Sequence, residues 1–219
     1  GRTQTLLAPE YGDRRKNRGN DMKLRKHLLA GLAFAFLATT ASAETLRWGS
    51  PRDIYSLDPY SYGSTSNLAF LNHVYEGLTR YTPEFKVEPA LATSWEMVKD
   101  NVWRFHLRKG VKFQNGADFT ADDVVASMAR VSHPTSPLRG NIPAYVSTTK
   151  VDDYTVDIEV NSPNPLFLND MTNIFMFDKD WLVDNKSELP TDVGAKVEGY
   201  ATHNTNGTGP FKLESRVPD

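Results

Sequence analysis

The clearest hydrophobic pattern in the chain is a strict alternation before residue 109. Three apolar residues alternate there with three charged or polar ones: Trp103, Arg104, Phe105, His106, Leu107 and Arg108. Because successive side chains of a β-strand point to opposite faces, this pattern predicts a strand over 102–108 with one buried face. The pair Asp100-Asn101 favours a turn, so we predict a hairpin with a strand over 95–99. We interpret the aromatic row as sheet core and not as a ligand platform.

Two stretches have the period of an amphipathic helix. The first covers 64–80, where Ser64 can cap the helix and one stripe is apolar. The second begins after Thr120 and ends near Arg130. Asp122 and Asp123 lie in its first turn, where carboxylates interact favourably with the helix dipole, and Asp123 can close a capping box. We therefore interpret this acid pair as helix stabilisation and not as a catalytic pair.

Shorter elements complete the predicted secondary structure. Extended segments are predicted at 45–49, 111–113, 154–160, 171–177 and 211–213, a helical turn at 90–94 and a short helix from Pro165. Strands and helices mixed in this way predict an α/β fold with one mixed sheet.

The N-terminal region has the three parts of a secretory signal peptide. Residues 22–43 contain, in order, a positive segment, an apolar run of 11 residues and the small residues Ala41-Ser42-Ala43. A run of this length is too short for the ~20 residues that span a bilayer. We predict cleavage after Ala43 and a mature periplasmic chain that begins at Glu44. Residues 1–21 precede Met22 and are interpreted as an upstream segment outside the fold.

The composition excludes several classes of function. The 219 residues are 39% hydrophobic and 24% charged, with a formal net charge of −2, which argues against a nucleic-acid binder. Cysteine is absent, which excludes disulfides and thiolate sites, and the five histidines lack zinc-site spacing. Gly207 and Gly209 have no following helix of the kind that phosphate loops need. No catalytic residue, cofactor or metal site is predicted.

A series of short motifs follows in order from Glu44. They are Leu57-Asp58-Pro59, Val74-Tyr75-Glu76-Gly77-Leu78, Pro89-Ala90-Leu91-Ala92, Ser94-Trp95-Glu96, the block from Trp103 to Phe113 continuing through Asn115-Gly116 to Phe119–Val125, and Gly207-Thr208-Gly209-Pro210-Phe211. In these motifs the chain resembles the extracytoplasmic solute-binding proteins that serve dipeptide, oligopeptide and nickel ABC importers, bacterial solute-binding protein family 5. The motifs are turns, caps and core positions, so they identify the family without marking its site.

The resemblance implies a fold and a function. Members have the type II periplasmic-binding-protein-like fold, in which two α/β lobes close over the ligand, and are more than twice as long as this mature chain. Residues 44–219 would then be part of lobe I with an inserted subdomain, and the second lobe would be absent. The implied function is that of a monomeric, non-enzymatic binding protein that delivers peptides to a membrane permease.

The resemblance also points to residues that touch the ligand. The loop after the first strand and the start of the first helix imply Tyr62 and Leu68, and the loop after the capped helix implies Arg139. An arginine there can pair bidentately with a ligand carboxylate. The alternatives are a solvated loop cation for Arg139 and a packed loop aromatic for Tyr62.

Two other functions stay open from the sequence. A non-peptide ligand such as a metal chelate, an opine or an oligosaccharide would suit the same family. A secreted hydrolase would share the export signal, but the chain has no defensible nucleophile and base to support it.

Overall fold

The computed structural model describes residues 49–50, 52–192 and 195–217. The predicted signal peptide and nearly all of the predicted first strand lie outside these residues. The described helices and strands are, in chain order, α1 Thr65–Leu71, β1 Thr79–Tyr81, β2 Val87–Pro89, β3 Ala92–Lys99, β4 Val102–Leu107, α2 Ala121–Ser132, β5 Tyr145–Asp152, β6 Thr155–Val160, α3 Phe167–Asp170, α4 Lys179–Asp184 and α5 Tyr200–His203. Two 3-10 turns cover Arg139–Asn141 and Met171–Asn173.

Strands β3 to β6 form one four-stranded sheet in the order β3-β4-β6-β5. The predicted hairpin at Asp100-Asn101 is confirmed, and β4 pairs next with β6, so that Phe105 lies opposite Val156 and Trp103 opposite Ile158. Phe105, Val156 and Ile158 are fully buried, as the alternation predicts. The α/β class is confirmed, although every described strand pair is antiparallel where a mixed sheet was expected.

Helix α2 packs against strands β5 and β6 and begins as the sequence predicts. The N–H of Thr120 donates to a carboxylate oxygen of Asp123 at 2.7 Å, which is one of the two reciprocal hydrogen bonds of a capping box. Asp122 instead faces outward and binds the Lys150 ammonium at 2.8 Å. Both acids therefore stabilise the helix and its surroundings.

The helix predicted over 64–80 is wrong beyond Leu71. The carbonyl oxygen of Val74 accepts a hydrogen bond from the N–H of Gly209 at 2.8 Å instead of continuing a helical ladder. A Cβ on Gly207 would overlap the same carbonyl group, so only glycine allows this close approach. Packing against a distant loop thus overrides the local helical period.

Other short predictions also need correction. The helical turn predicted at 90–94 is wrong, since Ala90 and Leu91 form a bend and residues 92–94 belong to β3, and the segment 171–177 begins with a 3-10 turn. Residues 211–213 are in no described strand, although the N–H of Phe211 donates to the carbonyl oxygen of His73 at 3.0 Å. Strand β5 is not predicted, because it is an edge strand and most of its side chains are exposed or only half-buried. None of the described helices has the length and hydrophobicity needed to cross a bilayer.

Candidate functional site

Tyr62 lies in a loop whose backbone is fixed by local hydrogen bonds. Its N–H donates to the carbonyl oxygen of Asp58 at 3.2 Å, and its own carbonyl oxygen accepts from the side-chain amide of Asn67 at 3.3 Å. The half-buried Tyr62 ring lies 5.4 Å, centroid to centroid, from the Tyr55 ring, which is 56% exposed. The two rings form an aromatic surface at the solvent boundary that can pack on a ligand.

Arg139 begins a 3-10 turn next to the Tyr62 loop. A Cβ on Gly63 would lie 2.9 Å from Leu138 Cδ2 and 3.3 Å from Pro137 Cγ, so the two loops are in direct contact. The Arg139 side chain is exposed and forms no ion pair with another described residue. The structure therefore brings the loops of Tyr62 and Arg139 together and leaves the guanidinium open to an anionic group.

Leu68 lies in the middle of helix α1 and packs partly against the hydrophobic core. The helix begins after Ser64, whose hydroxyl oxygen accepts a hydrogen bond from the N–H of Asn67 at 3.3 Å. Leu68 thus has a packing role of its own, and its contact with a ligand stays a prediction.

A buried ion pair that is not predicted from the sequence holds the Tyr62 loop. The Arg130 guanidinium donates to both carboxylate oxygens of Asp58, at 2.9 and 2.8 Å, and its Nε–H donates to the carbonyl oxygen of Ser187 at 2.9 Å. The rings of Tyr60 and Phe177 lie 5.6 and 4.9 Å from the guanidinium carbon, at distances where cation–π attraction operates. These hydrogen bonds join helix α2 to the loop at Asp58 and to the segment at Ser187.

Only the arginine of this ion pair has a signal in the sequence. Arg130 lies on the face of helix α2 that also presents Val124, Ser127 and Val131, all of them buried. An arginine on a buried helix face needs a carboxylate partner. Asp58 belongs to the turn motif Leu57-Asp58-Pro59, far away in sequence, so helical spacing alone cannot identify it as that partner.

A second polar cluster links the start of helix α2 to the start of helix α4. Asp123 accepts from the N–H of Lys179 at 2.9 Å, and Asp178 accepts from the side-chain amides of Asn115 and Asn206 at 2.7 and 2.9 Å. Burial raises the pKa of the Asp123 carboxyl to about 6, against the opposing effect of the Lys179 N–H. Because both carboxylates are engaged by backbone or amide donors, the cluster stabilises the fold and leaves no free base.

Two open clefts lie apart from these predicted residues. One, of about 630 Å³, is at the end of β4 and β6 and includes His106, Lys109 and Tyr154 in its wall. The other, of about 560 Å³, begins at Gly140, next to Arg139. Neither wall includes Tyr62, Leu68 or Arg139, so these three side chains are not enclosed by either cleft.

Comparison with known proteins gives a consistent result. Residues 86–219 match the model of the bacterial extracellular solute-binding proteins, family 5 Middle. A curated relative, the glutathione-binding protein GsiB of Salmonella typhimurium, is 35% identical over 144 residues, which are 64% of this chain and 28% of that protein. The chain therefore spans about a third or less of the length of such relatives.

Solved structures match the fold over about three quarters of this chain and about a third of their own length. NikZ from Campylobacter jejuni in complex with Ni(L-His) has a TM-score of 0.66 and 28% identity, covering 76% of this chain and 32% of that chain. DppA from Helicobacter pylori in complex with the peptide STSA has a TM-score of 0.58 and 29% identity, covering 72% and 34%.

Proposed function

The chain belongs to the bacterial extracellular solute-binding proteins of family 5, and on that premise we propose that it captures a small peptide for an ABC importer. The observation that carries this proposal is the contact of Gly63 with Pro137 and Leu138, which places the tyrosine loop beside the loop of exposed Arg139. A loop with an aromatic surface in contact with a loop that carries an exposed cation suits a peptide with an apolar side chain and a terminal carboxylate. The family is one of binding proteins, so the proposal includes no catalytic step.

Each predicted residue has a role in this proposal. The Arg139 guanidinium pairs with the peptide carboxylate through two parallel hydrogen bonds. Tyr62, with Tyr55 beside it, packs on a side chain of the peptide, and Leu68 adds apolar surface at the border of the core. GsiB is named for glutathione and DppA was solved with a peptide, and both ligands are peptidic.

We also propose how the site is completed and where it works. Residues 44–219 form lobe I with its inserted subdomain, after removal of the signal peptide 22–43 that follows the upstream segment 1–21. A second lobe closes over the ligand in the periplasm, and the closed monomer docks on a membrane permease. Lobe I by itself binds weakly, since small-molecule sites normally bury most of the ligand surface and one lobe leaves most of it in water.

Thermal unfolding with a ligand panel tests the peptide proposal. The panel contains glutathione, a dipeptide, a tetrapeptide and Ni(L-His), each added over a wide concentration range to the full-length protein that carries both lobes. A ligand at a hundred times its dissociation constant adds about 2.7 kcal/mol of stability. Stabilisation by a peptide supports the proposal. Stabilisation by Ni(L-His) alone, or by no member of the panel, overturns it.

A metal chelate is the second candidate because the structure of NikZ contains Ni(L-His). The described residues include no group of three or more histidine or acidic side chains placed to hold a metal ion. A metal that arrives with its own chelator needs no such group, and Arg139 could bind the carboxylate of the chelator. Ni(L-His) in the panel distinguishes this candidate from a peptide.

A further inference from the structure

We propose that the cleft beside strand β1 is a second binding site, specific for a neutral saccharide. The cleft has a volume of about 560 Å³ and lies between Tyr81, the turn at Gly140 and the segment 164–173. Binding sites for small molecules commonly have volumes of about 300–1,000 Å³, so a mono- or disaccharide is of suitable size. Its wall includes none of the residues proposed above to bind a peptide, although Asn141 lies in the same 3-10 turn as Arg139.

The lining of this cleft is rich in side-chain amides and poor in charge. Four asparagines contribute to its wall: Asn141, Asn164, Asn169 and Asn173. An amide offers both donors and an acceptor, which matches the hydroxyl groups of a saccharide. The wall includes no lysine, arginine or histidine, and its one carboxylate, Asp170, already accepts from the Asn164 amide at 2.8 Å. An anionic ligand would find no partner of opposite charge in this wall.

Local hydrogen bonds orient two of these amides, those of Asn164 and Asn169. The side-chain amide oxygen of Asn164 accepts from the N–H of Leu166 at 2.9 Å, and the side-chain amide of Asn169 donates to the Tyr81 hydroxyl at 3.2 Å. The two sides of the cleft are tied together by Thr79, whose hydroxyl donates to the carbonyl oxygen of Leu168 at 2.9 Å. At Asn164 and Asn169 a ligand would therefore meet amides that need little reorganisation, which favours binding.

Tyr81, in the wall of the cleft, has an aromatic neighbour, Phe85, that lies outside the wall and has a strained backbone. The Tyr81 ring is 40% exposed, and its centroid lies 6.3 Å from that of Phe85, which is 82% exposed. Phe85 has a φ of +60°, a left-handed conformation that is costly for a bulky residue. Such strain often accompanies functional sites. Here the exposed ring gains little from packing, but it extends an aromatic surface on which the C–H face of a sugar ring can lie.

Nuclear magnetic resonance of the protein tests the proposal through the asparagine side-chain amides. The probes are glucose, galactose, mannose, maltose, lactose and sucrose, with glucuronic acid, glucosamine and a dipeptide as charged or peptidic competitors. We expect at least one neutral sugar to shift the Asn169 and Asn173 amide signals in a saturable way. No saturable shift with any neutral sugar, or an equal response to the competitors, overturns the proposal.

Three variants make the test specific. Tyr81→Ala should weaken sugar binding about tenfold, which corresponds to about 1.4 kcal/mol. Tyr200→Ala is the matched control, because Tyr200 is 46% exposed and also has an aromatic neighbour, Trp181, at 5.6 Å. Phe85→Gly should weaken binding while leaving thermal stability equal or higher, since glycine relieves the left-handed strain. Sugar affinity unchanged by Tyr81→Ala, or lowered equally by Tyr200→Ala, overturns the assignment.

Discussion

Arg130 and Asp58 are 72 residues apart in the chain and meet in a doubly hydrogen-bonded ion pair. Their side chains are only 1% and 2% exposed. The desolvation of two buried charges offsets much of their attraction, but the loss of one partner leaves the other charge buried and uncompensated. Because this pair joins the loop before Tyr62 to helix α2, it fixes the position of the proposed ligand surface.

Arg130→Ala should lower the free energy of unfolding by about 3–5 kcal/mol, since the Asp58 carboxylate would stay buried without its partner. Urea denaturation measures the change. The matched control is Arg80→Ala, which breaks an exposed pair with Glu88 and should cost less than about 1 kcal/mol. Equal losses for the two variants would contradict the prediction, and Asp58→Leu combined with Arg130→Met should recover part of the stability.

Gly207→Ala should destabilise the fold by about 3 kcal/mol, because its new methyl group would overlap the Val74 carbonyl oxygen. The control is Gly140→Ala, where a Cβ would meet no atom within 4 Å. Circular dichroism melting curves compare the two variants. Similar melting temperatures would show that the loop can move away and that the close contact is not required.

The sequence predicts those parts of the fold that depend on local pattern. The alternation around Phe105, the turn Asp100-Asn101 and the cap at Thr120 are all confirmed, because each depends on neighbours within a few residues. The predicted helix fails after Leu71, where Gly209 takes the Val74 carbonyl group from across the fold. Strand order and long-range contacts of this kind have no signal in a local window.

The candidate site, like the fold, could be predicted only in part from the sequence. The roles of Tyr62, Leu68 and Arg139 rest on the family resemblance, and the contact between the loops of Tyr62 and Arg139 emerges only in three dimensions, through Gly63. The partnership of Asp58 with Arg130 needed the structure, since no sequence spacing joins a loop to a helix 72 residues away. A buried-face arginine can be recognised from helical spacing, but not its partner.

Trp103→Ala should lower the free energy of unfolding by about 2 kcal/mol, below the 3–5 kcal/mol typical of a fully buried aromatic, because Trp103 is only partly buried. Its ring centroid lies 6.0 Å from that of Phe167, so the change opens a gap in the core. Met97→Ala, at the cross-strand partner that is 51% exposed, is the control and should cost less. Denaturant titration measures both variants. If Trp103→Ala keeps normal stability but loses ligand binding, the aromatic row on β4 is a binding platform and not sheet core.

Acidification should stabilise the protein through Asp123. Its folded pKa of about 6 lies above the ordinary value of 3.8, so the folded state binds this proton more tightly than the unfolded state. The contribution is fully present below about pH 4 and is lost as the pH rises to about 6. Between pH 7 and pH 5 the parent should gain about 1 kcal/mol relative to Asp123→Asn. Chemical denaturation at both pH values measures this gain.

The neighbouring acid supplies the control for that experiment. Asp122→Asn removes a carboxylate that is about half exposed and paired with Lys150, so this variant should keep the pH dependence of the parent. If Asp123→Asn and the parent show the same change between pH 5 and pH 7, the Asp123 carboxyl is not the group responsible.

Arg139 provides the most direct test of the proposed ligand. If the ligand presents a carboxylate to this loop, Arg139→Ala should cost about 1.5–3 kcal/mol of binding free energy, the range for hydrogen bonds to charged groups. Thermal stability should hardly change, because the side chain is exposed. Arg139→Lys should restore only part of the affinity, since an ammonium cannot reproduce the planar pair of donors.

Isothermal titration with the peptide that gives the largest thermal shift measures both variants, with Arg80→Ala as a control for loss of one surface charge. A dissociation constant within about twofold of the parent for Arg139→Ala, which is under about 0.5 kcal/mol, would show that Arg139 is a solvated loop cation outside the site.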